Sequence, residues 1–151
     1  MKKLIIVFSQ VLLVLAVLCF CFIPNVEKAA FAYTLVEKHP IDIEMQRMLD
    51  EDSSTAGLWP AFDYALKEWD KLLNENYNAL MKKLPKDEQG KLRASQREWI
   101  KYRDLEFDFN DNYWSKFRGT MYMGNPKGYQ IRFIRERALR LGYYLEDLGE
   151  R

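Results

Sequence analysis

The chain has 151 residues, 48% hydrophobic and 30% charged, with a formal net charge of +1. That length holds one domain, and the balance is that of a folded body rather than a disordered one. A near-neutral charge argues against nucleic acid as a partner, which requires a basic excess, and a single histidine with two cysteines supplies no metal-binding cluster.

Lys2 and Lys3 open the chain and are followed by an apolar run over residues 4–23, broken only by Ser9 and Gln10. Ala30, Phe31 and Ala32 then place small residues where a signal peptidase reads. Residues 1–32 are therefore expected to be a cleaved secretory signal, with residues 33–151 as the exported domain. The alternative is an uncleaved anchor, because the run approaches the length of a bilayer span. Lipid attachment at Cys19 or Cys21 is not expected, since Leu18 and Phe20 stand where small residues would precede the modified cysteine. Cleavage would remove both cysteines, take the formal charge to about −1, and leave a domain without disulfides or stable membrane insertion, held by its core alone.

Residues 33–40 show no period and end in His39 and Pro40, an extended lead-in. Ile41, Met45, Met48 and Leu49 recur on one face of a short first helix whose first turn carries Asp42 and Glu44. After a break at residues 50–55, with Ser53, Ser54 and Thr55 as candidate caps, Phe62, Leu66, Trp69, Leu73, Tyr77, Leu80 and Leu84 predict a long second helix. It should span residues 55–83, or begin near Trp59 if Pro60 is to sit in the first turn.

Leu84 and Pro85 make a tight link to a third helix, with Leu92, Trp99, Tyr102, Phe109 and Tyr113 on one stripe and Ile100, Phe107 and Trp114 beside it. So wide an apolar arc should be covered by more than one partner. Residues 118–128 hold three glycines and a proline and read as a loop, after which Ile131, Ile134, Ala138, Leu141, Leu145 and Leu148 predict a final helix. The expected fold is all-α: a small antiparallel helical bundle made of a short first helix, a long helical hairpin and a C-terminal helix.

Two stretches mix aromatics and polar groups densely. Residues 69–77 contain Trp69, Asp70, Asn74 and Tyr77; residues 95–104 contain Gln96, Arg97, Trp99, Tyr102, Arg103 and Asp104. A tight turn would bring Trp69 level with Tyr102, and Asn74 level with Gln96 and Arg97, so these groups are expected to form a polar layer that registers the two arms. An acid–base site would need two carboxylates. Asp70 and Asp104 are the candidates, but Arg97, Lys101 and Arg103 surround them, and carboxylates among cations stay ionised. No enzyme is expected.

The W-D-x-x-L-N-x-x-Y-x-x-L pattern of residues 69–80, followed by S-Q-R-x-W-I-x-Y-R-D at residues 95–104, resembles the LprI-like lysozyme inhibitor domain family of bacterial envelope proteins. H-P-I-D at residues 39–42, S-T-A-G at 54–57 and R-x-R-A-L-x-L at 135–141 fit the same resemblance. It implies an exported all-helical domain and, for the family's namesake, inhibition of lysozyme. Many members carry cysteines in the helices; Leu49, Ala61 and Phe107 stand about where they would fall, so the resemblance does not extend to disulfides.

An inhibitor of a basic enzyme would offer it an acidic surface, since complementary charge raises the association rate. Asp104, Glu106, Asp108 and Asp111 on the third helix are candidates, as is the Met121, Tyr122, Met123 loop, where an aromatic between methionines suits insertion into a cleft. Arg132, Arg135, Arg137 and Arg140 on the last helix read as a solvated face. The expected function is a periplasmic or secreted protein-binding domain inhibiting lysozyme; the alternative is an envelope structural or interaction domain without inhibitory activity, whose partner is another envelope protein. Neither requires a cofactor or metal.

Overall fold

The computed structural model describes residues 39–149, and its regular elements there are all helical. They are α1 (Pro40–Glu51), α2 (Thr55–Lys83), α3 (Lys86–Trp114), a 3-10 turn (Thr120–Tyr122) and α4 (Asn125–Gly149). The expected signal segment lies outside the described residues, and no described helix is long and apolar enough to cross a membrane.

Local chemistry accounts for the helix limits. The Ser54 hydroxyl accepts from the Gly57 N–H at 3.2 Å, and the Asp52 carboxylate accepts from the Ser54 N–H at 3.0 Å. The two bonds cap α2 and turn the chain between α1 and α2. A Cβ on Gly57 would lie 2.2 Å from the Asp52 carbonyl oxygen, so this close crossing needs glycine. The cap makes α2 begin at Thr55 rather than near Trp59, with Pro60 on its exposed side. Past α3, Gly119 takes a φ of +116°, a backbone only glycine adopts readily, and redirects the chain into the 3-10 turn.

The core runs along the seam between α2 and α4. Ala61, Ala65, Trp69, Leu73 and Leu80 of α2 meet Ile131, Ile134, Ala138 and Leu141 of α4. Alanines let the two backbones approach closely, and Asn76 Nδ2 crosses the seam to donate to the Ala138 carbonyl at 3.0 Å. The cross-links Lys127 to Asp63 and Asn76 to Ala138 rise together in sequence number, so α2 and α4 run parallel. α1 lies antiparallel on α2, and α3 antiparallel on α4.

This all-α bundle has the expected helices but not the expected pairing. α2 and α3 barely approach one another, whereas α2 and α4 make the most extensive contact. The short Leu84 link reverses the chain, yet both arms spend their apolar faces on α4. Nor is α3 covered on several sides by the described residues. Its only buried residues are the amides Gln96 and Asn110, while Leu105 and Phe109 are 70% and 63% exposed.

Candidate functional site

The polar residues of the two aromatic stretches do not meet. Trp69 is fully buried, and its indole Nε1 donates to Asp42 Oδ1 at 3.2 Å. Arg135 Nε donates to the other oxygen of Asp42 at 2.9 Å, with its guanidinium 5.3 Å from the Trp69 ring centre. One carboxylate of α1 thereby ties α2 to α4. Asn74 turns back along its own helix, donating to the Asp70 carbonyl at 2.8 Å and to Asp70 Oδ2 at 3.1 Å, and Tyr77 packs half-buried against the core.

The partner of Gln96 is on α4: its Oε1 accepts from Arg137 Nε at 3.0 Å. Arg137 and Arg103 both lie against the Trp99 ring, at 5.7 and 5.6 Å. Arg103 also pairs with its neighbour Asp104 at 2.7 Å, Lys101 pairs with Glu98, and Arg97 is exposed. The register layer expected between α2 and α3 is thus replaced by two separate ties, Asp42 with Trp69 and Arg135, and Gln96 with Arg137. Asp70 and Asp104 sit on helices that barely approach, so no carboxylate pair is assembled.

Arg135 and Arg137 are accordingly half-buried members of these ties and not a solvated face; Arg132 and Arg140 are exposed. Burial holds the Arg137 guanidinium below its ordinary pKa. Beside the Gln96–Arg137 tie sits Phe133, whose ring contacts Trp99, Tyr102 and Phe107 at 5.8, 5.5 and 5.8 Å. Phe133 falls off the aliphatic repeat of its helix, and that offset was the only sign that it serves a second partner.

The candidate site lies at the other end of α3, where Trp114 separates two depressions. The smaller, about 350 Å³, is lined by Asp111, Trp114, Phe117, Tyr122 and Met123 among others. It brings two sequence candidates together, the acidic turns and the 120–123 segment. Tyr122, however, does not project as an inserting residue. It folds back half-buried on Trp114 and Phe117, at ring distances of 6.1 and 5.3 Å, and Met123 is exposed. Met121 lies within the 3-10 turn.

The acidic candidates separate as well. Asp104, Asp108 and Asp111 are exposed, spaced so that they share one side of α3. Asp111 also accepts from Gln130 Nε2 at 3.4 Å. Glu106 points to α4, where it accepts from the Tyr129 hydroxyl at 2.6 Å. That hydrogen bond, with burial second, pushes the Tyr129 pKa up to about 12. Glu106 is therefore a helix-pairing residue.

The larger depression, a groove of about 980 Å³, opens between the first turns of α2 and α4 and the end of α3. Phe62, Phe109, Tyr113, Trp114 and Tyr129 line it, with Arg132 at its edge. Asn110 also lines it and is only 7% exposed, and its Oδ1 meets no donor among the described residues. A buried carbonyl left without a donor costs on the order of 1–3 kcal/mol. Nothing in the sequence marked Asn110 among the aromatics of residues 107–114.

Fold and site define an all-α domain whose surface features gather at one end of α3. The chain belongs to the LprI lysozyme inhibitor family, whose model, described as "Lysozyme inhibitor LprI", matches residues 49–141. A crystal structure of an uncharacterized protein from Burkholderia thailandensis is similar, with a TM-score of 0.69 and 30% sequence identity over 74% of this chain. The match spans 56% of that protein's chain. No curated protein sequence matches.

Proposed function

We propose that the protein is an exported binding domain that inhibits a lysozyme-type muramidase. Membership of the lysozyme inhibitor family is the observation that carries this reading. The end of α3 supplies a surface suited to it: exposed apolar Leu105, Phe109 and Met123 beside the exposed acids Asp104, Asp108 and Asp111. Apolar anchors within a charged rim are the usual anatomy of a protein interface, and acidic rim groups would speed encounter with a basic enzyme. Export fits the expected signal, for which the mature chain should begin at Tyr33 by mass spectrometry.

The test uses the purified protein in two assays. Lysozymes of several types are assayed on a small soluble substrate with the protein in molar excess, and mixtures are passed over a sizing column without any substrate. The reading expects inhibition and a co-eluting complex. Replacing Asp104, Asp108 and Asp111 by lysine should slow association by about tenfold or more at low salt and by less at high salt. Absence of both inhibition and complex across the enzymes would leave an envelope interaction domain without inhibitory activity.

A further inference from the structure

The open side of α3 carries a repeat of its own. Glu98, Tyr102, Leu105, Phe109, Asn112 and Lys116 recur at intervals of 4, 3, 4, 3 and 4, the heptad spacing with which one helix lies along another. All six are exposed, Tyr102, Leu105 and Phe109 at 53%, 70% and 63%. Lys116 follows just past the end of α3, where its N–H still bonds the Tyr113 carbonyl at 3.4 Å and keeps the helical line. A bare apolar stripe with charged ends marks an interaction surface.

The order of residues along the stripe selects its occupant, because it is balanced about Phe107. Leu105 and Phe109 stand two residues from that centre, Tyr102 and Asn112 five, and Glu98 and Lys116 nine. Reversing one of two identical helices maps the a positions of a heptad onto d positions. Two copies of α3 laid antiparallel about a two-fold axis at Phe107 therefore set Leu105 on Phe109 of the second copy, Tyr102 beside Asn112, and Glu98 against Lys116 at both ends. A parallel pair would set like charges together at each end. Lys116 has no carboxylate partner among the described residues, and Glu98 holds only Lys101, in an exposed pair. The formal charge of +1 adds little repulsion between copies. One unfavourable contact remains, Asp108 with its own counterpart beside the axis.

We propose that two copies of this chain associate through antiparallel α3 helices. The facing stripes would cover on the order of 1,000 Å² in all, the lower limit of a specific interface, so the dimer should be weak, with a Kd of about 10–100 μM. It hides Leu105 and Phe109, and so competes with any other protein that docks on them. It does not rest on lysozyme inhibition.

Sedimentation velocity of the purified protein alone, from about 1 μM to about 1 mM, tests this. A reversible monomer–dimer equilibrium is expected, weakened about tenfold or more by Leu105→Glu. Glu98→Lys and Lys116→Glu should each weaken it about fivefold, since symmetry changes two contacts at once, and the two combined in one chain should restore the parent affinity. Asp108→Asn should tighten it about twofold. All four positions are exposed, so the urea midpoint of each variant at low concentration should match the parent's. Absence of a dimer at about 1 mM, a dimer indifferent to Leu105→Glu or weakened by Asp108→Asn, or a double reversal that fails to restore affinity would overturn the proposal. So would a lysozyme complex abolished by Leu105→Glu in a protein that never dimerises, which gives the face to the enzyme. No lysozyme is present in the sedimentation experiment, so its failure and a failure of inhibition are read separately.

Discussion

The α2–α4 seam and helix α3 are built on opposite principles. Along the seam, Ala61, Ala65, Trp69, Ala138 and Leu141 have no exposed surface. α3 has the same length as α2, yet the only side chains it buries are two amides; Leu92, Trp99 and Phe107 are partly buried against the core, and Leu105, Phe109 and Tyr113 are exposed. Burial of a large aliphatic or aromatic side chain contributes about 1.5–3 kcal/mol, so the seam carries the stability. The difference teaches that α3 is aligned on the bundle by specific ties, and is free to present surface because stability does not depend on its exposed face.

Trp69→Ala should break that comparison most severely. Removing the central side chain of the seam together with its bond to Asp42 should cost about 3–5 kcal/mol, a large share of a domain stability of about 5–15 kcal/mol. A urea titration by circular dichroism reads this as an early midpoint. Leu105→Ala and Phe109→Ala on α3 should each move the same midpoint by less than about 0.5 kcal/mol. A cost on α3 approaching that on α2 would show that the exposed face is part of the folding core.

Asp42→Ala comes next, at about 1–3 kcal/mol, because it strands the Trp69 indole N–H and the Arg135 guanidinium together. A double-mutant cycle with Arg135→Ala should return a coupling above about 0.5 kcal/mol. Additive losses would mean that the α1 carboxylate does not join the two helices. Gly57→Ala should cost about 1–3 kcal/mol, since the new methyl collides with the Asp52 backbone and displaces the cap of α2.

The smallest effect sharpens the α3 side. The Tyr129 pKa is raised to about 12 by its hydrogen bond to Glu106, against about 10 for an unfolded tyrosine. The pair therefore stabilises the fold fully below about pH 10, and that contribution fades as pH rises towards 12. Ultraviolet titration should show Tyr129 ionising late among the nine tyrosines, with Tyr102 also raised by its hydrogen bond to the same carboxylate, and Glu106→Gln should move both to earlier ionisation. An unchanged titration would remove Glu106 as the tie between α3 and α4.

Much of the local structure was legible in the residues. Apolar side chains recurring every three or four positions specify a helix because the backbone repeats every 3.6 residues, whatever the helix packs against. Ser54 and the glycines of residues 118–128 mark ends and turns because caps and left-handed backbone are local matters. The paired aromatic motifs identified the family for the same reason: a pattern along the chain can be read along the chain.

Partner choice was not legible. An apolar stripe states that a helix must be covered but not by which neighbour, so the short Leu84 link suggested that α2 faces α3. The alanines at 61, 65 and 138 decide otherwise by allowing close approach along α2 and α4; Ala138 stood on the predicted stripe of its helix, but Ala61 and Ala65 did not, because small side chains add little to a hydrophobic pattern. Trp69 and Gln96 then found Asp42, Arg135 and Arg137, residues 27, 66 and 41 positions away from the groups they serve. The sequence by itself determined the helices, their ends and the family. Only the tertiary structure decided which faces met, and so left Asn110 buried without a donor at the floor of an aromatic groove, because helix pairing depends on shape across space and helix formation on spacing along the chain.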